Sequence, residues 1–106
     1  MNGKTKSKST KEILGFDVET YKKWIEYQLT PEMNWQNIHV DHVRAISSFD
    51  VSKEDELFKA FNWRNCQPLL KEDNLKKGSR YSEEEYKLQF IKAEEFLKLN
   101  GETNEN

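Results

Sequence analysis

The sequence contains few cysteines and histidines, the residues on which disulfides and structural zinc sites depend. It has one cysteine, Cys66, and only two histidines among 106 residues. A single cysteine excludes an internal disulfide, and together with two clustered histidines it falls short of the four ligands of a structural zinc site. The chain also has no run of 18 apolar residues, and its polar, basic start has no apolar segment after it. We therefore expect an intracellular protein with neither a membrane span nor a secretory signal.

Apolar residues are scarce as well, at 35% of the chain, but three Trp, four Tyr and six Phe supply large side chains for a core. A chain of this length can bury one modest core, so we expect a single compact domain. The two ends offer little to bury. We predict a flexible basic tail over residues 1–10, a domain over 11–100 and a disordered tail over 101–106.

The net charge of −2 hides an uneven distribution along the chain. Four Lys and no acidic residue precede Glu12, and residues 71–80 hold four basic and two acidic side chains. Residues 82–106 reverse this balance, with three Lys against seven Glu. The basic middle segment is compatible with phosphate contacts, whereas the acidic final segment is most simply a structural helix.

Capping signals predict a helix near each end of the domain. Asp17 can cap a helix over residues 18–29, and Ser82 with Glu85 forms a capping box for a long helix that ends at Gly101. The spacing along this last helix predicts that its buried face consists of Tyr86, Phe90, Ala93 and Leu97.

The middle of the chain alternates between extended and helical patterns. Apolar and polar residues alternate over residues 38–41, and the sequence NCQPLL at 65–70 indicates a second strand. Ser52 is predicted to open a helix between these strands, and residues 71–77 form a short helix that Gly78 ends. These elements predict an α+β fold.

Both histidines lie in one segment, IHVDHVRAISSFD, at residues 38–50. Histidine exchanges a proton near neutral pH, and its neutral ring also binds metal ions. Taken by itself, the segment is therefore a proton-transfer site, a metal site or a core strand that happens to be polar.

The order strand, long loop, strand and short helix, with Asp41-His42, Asn65 and Asn74 at marked places, resembles that of the HNH endonucleases. The ββα-metal motif of that family has Asp-His or His-His at the end of the first strand, Asn at the second strand, and His or Asn on the helix. The resemblance extends over about residues 14–80, through LGFDVETYKKWIEYQL, MNWQN, HVDH, SSFDVS, AFNWRNCQPL and EDNLKKG, in the order found in phage- and large-virus-type members. It implies an HNN variant with a ββα-metal core at about residues 38–80 and flanking N- and C-terminal helices.

The same resemblance implies a role for each marked residue. Asp41 and Asn74 correspond to metal ligands, His42 to the general base, and Asn65 to the catalytic-site asparagine that fixes the loop behind the base. Two oxygen donors suit Mg²⁺ or Mn²⁺ far better than zinc. His39 should share a face with Asp41, where we expect it to support the metal site from the second layer rather than to react.

Basic residues near the predicted helix suggest how DNA could be bound. Lys76, Lys77 and Arg80 are candidates for phosphate contacts, with Arg44 a weaker candidate, although a solvated helix face would look the same. Ala45 stands where relatives often carry Pro, and the chain lacks the zinc-binding cysteines and the separate DNA-recognition module of some relatives. We therefore expect weak or no sequence specificity.

The resemblance implies a metal-dependent DNA endonuclease that leaves a 5′-phosphate and a 3′-hydroxyl. The alternative is a nucleic-acid-binding or protein-interaction module on an HNH scaffold that does not cleave. Both interpretations leave open the target sequence, the choice between DNA and RNA, and whether one or two strands are cut. A homodimer is possible, since cutting two strands needs two active sites or two successive nicks.

Overall fold

The computed structural model describes residues 14–100, so the predicted tails at 1–10 and 101–106 lie outside the described residues. Within the described range the elements confirm the predicted α+β class. None of the helices in that range is long and apolar enough to cross a membrane. The helices are α1 (Val18–Tyr27), α2 (Glu54–Phe61), α3 (Lys71–Lys77) and α4 (Glu83–Asn100), and the strands are β1 (Ile38–His42) and β2 (Cys66–Leu70).

The two strands form an antiparallel sheet in which each residue of β1 has one partner in β2. Asp41 lies opposite Gln67, and His42 lies opposite Cys66. Helix α3 follows β2 without a connecting loop and packs on both strands. The result is a sheet of two strands with a short helix on one face.

Local signals explain where two of the four described helices begin. The side chain of Asp17 accepts a hydrogen bond from the Thr20 amide at 2.8 Å, and Ser82 Oγ accepts one from the Glu85 amide at 3.0 Å. Both predicted caps are therefore confirmed. The prediction for Ser52 is wrong: its hydroxyl donates to the Asp50 carboxylate instead, and α2 begins two residues later.

The core lies between α1, α4 and the adjoining face of the sheet. Trp24 and Ile25 of α1 are completely buried, and they belong to one cluster with Ile38, Trp63, Cys66, Ala93 and Phe96. Phe16 extends this cluster by stacking on Trp63, with the ring centroids 4.0 Å apart. Burial of these aromatic rings supplies most of the apolar area that a chain with so few aliphatic residues can remove from water.

The buried face of α4 differs from the predicted one. It consists of Gln89, Ala93 and Phe96, whereas Phe90 keeps 40% of its side chain exposed. A buried glutamine is tolerated because its amide nitrogen donates to Gln28 Oε1 at 3.1 Å and to the Cys66 carbonyl at 3.0 Å. Hydrogen bonding, rather than apolar spacing alone, therefore sets the rotation of this helix.

The Cys66 carbonyl is a shared acceptor for both long helices. Besides Gln89, it accepts hydrogen bonds from Trp24 Nε1 and Gln28 Nε2, each at 3.1 Å. Cys66 is the first residue of β2, so these bonds attach α1 and α4 to the start of that strand. They hold the sheet in place and leave its other face to α3.

Candidate functional site

Strand β1 presents its polar side chains in two directions, as the alternation of a strand requires. His39 and Asp41 contact α3, through Asn74 and Lys77 respectively. The ring of His42 instead lies beside Phe61 of α2, with the ring centroids 5.5 Å apart and the planes nearly perpendicular. Neighbouring residues of one strand thus reach two distinct environments.

The carboxylate of Asp41 is paired with a cation from α3. Its Oδ2 atom lies 3.1 Å from Lys77 Nζ and accepts a hydrogen bond from Gln67 Nε2 at 3.0 Å. Lys77 also donates to the backbone carbonyl of His42 at 3.0 Å. The side chains of Lys77 and Asp41 are only 16% and 11% exposed, so solvent screens this ion pair much less than it would screen a surface pair.

Asn74 lies beside His39 on the same face of the sheet. Its Nδ2 atom is 2.9 Å from His39 Nδ1. With the amide nitrogen of Asn74 as the donor, Nδ1 of His39 is the acceptor. This bond orients the Asn74 amide and does not use its oxygen, the atom of that side chain that can bind a hard metal ion.

His42 is half-buried, and this burial lowers its pKa below the ordinary value for histidine. The negative charge of Asp41 opposes the shift, whereas the positive charge of Lys77 adds to it. Burial has the largest effect because it removes water from the charged imidazolium. His42 is therefore neutral at pH 7 and can accept a proton.

Asn65 is almost fully buried and fastens the loop that follows His42. Its side-chain oxygen accepts from the Arg44 amide at 2.9 Å, and its side-chain nitrogen donates to the carbonyls of Arg44 and Ala60, both at 3.0 Å. Its backbone carbonyl also accepts from the Val43 amide at 2.8 Å. These bonds reach the backbone after His42 rather than its ring, so Asn65 fixes the end of β1.

Arg44 is partly buried, and its guanidinium lies against aromatic rings. Its guanidinium carbon lies 4.1 Å from the centre of the Phe49 ring and 5.6–5.7 Å from the rings of Tyr81 and Tyr86. Its Nε atom also donates to Ser48 Oγ at 2.9 Å. These contacts connect the loop after β1 with the start of α4.

The three basic residues predicted near α3 have different surroundings. Lys77 points inward to Asp41, whereas Lys76 is exposed. Arg80 is also exposed and donates to the carbonyls of Lys76 and Lys77, at 2.6 and 3.2 Å, which closes the end of α3. Lys76 and Arg80 are thus the members of this group that face solvent.

A cleft of about 490 Å³ borders the Asp41–Lys77 pair, between the sheet and the first half of α4. Gln67 and Lys77 form the wall nearest Asp41, and Arg80 and Lys92 add further positive charge. Tyr81 contributes an aromatic surface, and Glu85 a negative charge. The cleft therefore connects the polar face of the sheet with solvent through a predominantly basic opening.

Nowhere in residues 14–100 do three His, Cys, Asp or Glu side chains come together as a metal-binding group. The implied ligand pair consists of one carboxylate, on Asp41, and one amide, on Asn74. These residues lie on adjacent elements, β1 and α3, which pack against each other.

Sequence reasoning missed Gln67, which is bonded to Asp41. The polar residue within NCQPLL was the available signal, but identifying its partner needs the register of the sheet. In the observed register Asp41 lies opposite Gln67, and residues that pair across two strands have their side chains on the same face of the sheet.

Two proteins of Acanthamoeba polyphaga mimivirus are similar in sequence to this chain. "Uncharacterized protein L426" is 38% identical over 85 residues, which is 76% of this chain and 37% of that protein. "Uncharacterized protein L246" is 38% identical over 79 residues, which is 71% of this chain and 34% of that protein. The chain thus spans about a third of the length of these curated relatives. No family model and no solved structure matches the chain.

Proposed function

We propose that this protein is a metal-dependent endonuclease of the HNH type, with β1, β2 and α3 as its ββα-metal core. The observation that carries the proposal is the division of roles at the end of β1. Asp41 faces α3, which also bears Asn74, while the adjacent His42 is neutral and lies on the other side of the strand. A hydrolytic site needs this separation, because one side must neutralise charge and the other must accept a proton.

The residues present fit a divalent metal ion of the Mg²⁺ type. Asp41 and the amide oxygen of Asn74 would hold it, with water and substrate phosphate completing the shell. The position beside Asp41 already stabilises a positive charge, namely the ammonium of Lys77. When bound, Mg²⁺ or Mn²⁺ would neutralise charge on the phosphate and on the departing 3′ oxygen.

His42 supplies the proton acceptor in this proposal. It takes a proton from a water molecule whose oxygen forms a bond to phosphorus, while the bond from phosphorus to the 3′ oxygen breaks. The 3′ oxygen takes a proton from solvent, and the products are a 5′-phosphate and a 3′-hydroxyl. Asn65 holds the backbone just after His42 and so fixes the position of the imidazole.

DNA is the substrate that we propose, bound mainly through its phosphates. Lys76 on α3 and Arg80 just after it have exposed side chains that can contact the backbone of a nucleic acid without reading its bases. This arrangement supports weak or absent sequence specificity.

One observation favours the second candidate, a nucleic-acid-binding or protein-interaction module that does not cleave. The Lys77–Asp41 pair provides the carboxylate with a positive partner without a metal ion, an arrangement that a purely structural ion pair would also have. The two candidates differ in a single property, cleavage that depends on a divalent ion.

Incubation with supercoiled plasmid separates them. With Mg²⁺ or Mn²⁺ we expect nicked and then linear DNA, and in EDTA no cleavage. Asp41→Ala should abolish cleavage, whereas Asp73→Ala, which removes an exposed carboxylate from α3, should change it little. Undiminished cleavage in EDTA would refute the metal mechanism, and DNA binding without cleavage in either metal would establish the second candidate.

A further inference from the structure

We propose that Lys77 is an internal cation that occupies the Asp41 carboxylate until a divalent metal ion displaces it. Lys77 would thereby set the metal affinity of the site, and its released ammonium would become available to a substrate phosphate. The inference rests on the proposed function and adds a role for a residue that sequence reasoning placed only among the phosphate contacts.

The contacts of Lys77 differ from those of an ordinary surface lysine. Its ammonium has two acceptors at the end of one strand, Asp41 Oδ2 at 3.1 Å and the His42 carbonyl at 3.0 Å. The side chain is 16% exposed, whereas the adjacent Lys76 is exposed. Lys77 is therefore fixed on the carboxylate that would bind the metal.

A metal ion and this ammonium cannot share the carboxylate without a large cost. Two positive charges held a few ångströms apart in a partly buried site repel each other strongly, since little water screens them. Binding of Mg²⁺ at Asp41 must therefore break the contact with Lys77. A measured affinity for the metal ion would therefore be lower than the affinity of the same site without Lys77 on the carboxylate.

The structure offers a place for the displaced side chain. Lys77 borders the cleft of about 490 Å³, and its flexible stem of four methylene groups can turn into that space. Arg80 and Lys92 also line the cleft, so the released ammonium would join two other cations. A phosphate of the bound strand is the counter-ion that such a group would attract.

Calorimetric titration of the full chain with Mn²⁺ tests the competition directly. Lys77→Gln removes the charge but keeps a hydrogen-bond donor for the His42 carbonyl, and Lys76→Gln is the matched control. We expect Lys77→Gln to bind Mn²⁺ about tenfold more tightly than the control, because a partly buried charge pair no longer has to be broken. Equal affinities in the two variants would overturn the proposal.

A second measurement needs no substitution in the measured protein. In ¹⁵N-labelled wild type, the side-chain ammonium signal of Lys77, assigned by its absence in Lys77→Arg, should shift or broaden as Mg²⁺ saturates the site. A signal that stays unchanged at saturation would show that Lys77 remains on Asp41, and the proposal would be wrong even if Lys77→Gln did not fold.

Plasmid nicking on the same preparations distinguishes the two proposals. Wild-type cleavage that depends on Mg²⁺, combined with unchanged Mn²⁺ affinity in Lys77→Gln, would leave the endonuclease in place and refute the competition. Absence of Mn²⁺ binding in wild type and in both Lys77 variants would refute both. Tight binding of Mn²⁺ by Lys77→Gln, without binding by the wild type, would support the competition, because the ammonium of Lys77 would then be the group that excludes the metal ion.

Discussion

His39 and His42 are three residues apart in the sequence, and their side chains have different neighbours in the structure. His42 is half-buried beside Phe61, and this burial lowers its pKa. His39 is exposed and accepts a hydrogen bond from Asn74. A strand places them on opposite faces because their separation is odd. The two histidine rings therefore lie on opposite faces of β1 and in different surroundings.

Replacement of His39 should weaken metal binding more than it lowers the rate of cleavage at saturating Mg²⁺. In His39→Ala the Asn74 amide loses its acceptor, and residues that orient a ligand are usually worth 10- to 100-fold in metal affinity. We expect the Mg²⁺ concentration for half-maximal nicking to rise about tenfold, with little change in the rate at saturating Mg²⁺.

His39→Asn is the matched variant, since it keeps an acceptor oxygen on the same face and should recover part of the metal affinity. A rate at saturating Mg²⁺ that falls as far in His39→Ala as in His42→Ala would contradict the assignment and indicate that both histidines react.

Asn65 should contribute strongly to stability, independently of catalysis. Asn65→Ala would leave the Arg44 amide and the carbonyls of Arg44 and Ala60 without their partner. Because unsatisfied buried polar groups cost about 1–3 kcal/mol each, we expect the free energy of unfolding to fall by about 3 kcal/mol in urea denaturation. Asn100→Ala, at the exposed end of α4, should change it by less than about 0.5 kcal/mol. A loss below about 1 kcal/mol for Asn65→Ala would show that water replaces these bonds.

Helix α4 shows which features of an element can be predicted from nearby residues. Its start can be predicted in this way, whereas its buried face cannot be predicted completely. Its capping residue, Ser82, is confirmed because a cap depends on groups three residues apart. Its buried face was predicted only in part: Ala93 is buried and Leu97 packs on the core, but Phe90 is exposed. Gln89 is buried instead through bonds to Gln28 and Cys66, residues far away in the sequence. Apolar spacing cannot reveal such partners.

The orientation of α4 can be tested with two phenylalanines on the same helix. Phe96 is 3% exposed and contacts Trp24, Tyr27 and Trp63, so Phe96→Ala should lower the free energy of unfolding by about 3–5 kcal/mol. Phe90 is 40% exposed, and Phe90→Ala should cost less than about 1 kcal/mol. Urea denaturation measures both. A larger loss for Phe90 than for Phe96 would restore the face predicted from the sequence.

Strands and short helices were predicted well for the same physical reason. The predicted strand at 38–41 and the predicted helix at 71–77 depend on alternation and on Gly78, which are local, and the structure has β1 at Ile38–His42 and α3 at Lys71–Lys77. The contacts of the candidate site are not local. Gln67 lies 26 residues from Asp41, and Lys77 lies 35 residues from His42. The sequence suggested the candidate site residues but could not show that Lys77 pairs with Asp41.

At the scale of the whole molecule, the distribution of charge and the length of the chain are relevant to the proposed binding of DNA. The chain carries a net charge of −2, yet Lys76 and Arg80 give the end of α3 an exposed basic surface, whereas α4 carries five Glu and three Lys. The relatives are about three times as long as the segment they share with this chain. DNA as the partner and a homodimer that cuts both strands both stay predictions.

The central claim is that His42 is the base of a hydrolytic site, and single-turnover nicking of plasmid at saturating Mg²⁺ tests it most directly. Only neutral His42 accepts a proton, so the wild-type rate should rise with pH and level off, with the step below the ordinary histidine pKa of about 6.5, because burial lowers the pKa of His42. His42→Ala should fold normally, lack this step and be slower by at least about 10²-fold. Nicking by His42→Ala at the wild-type rate would contradict the account.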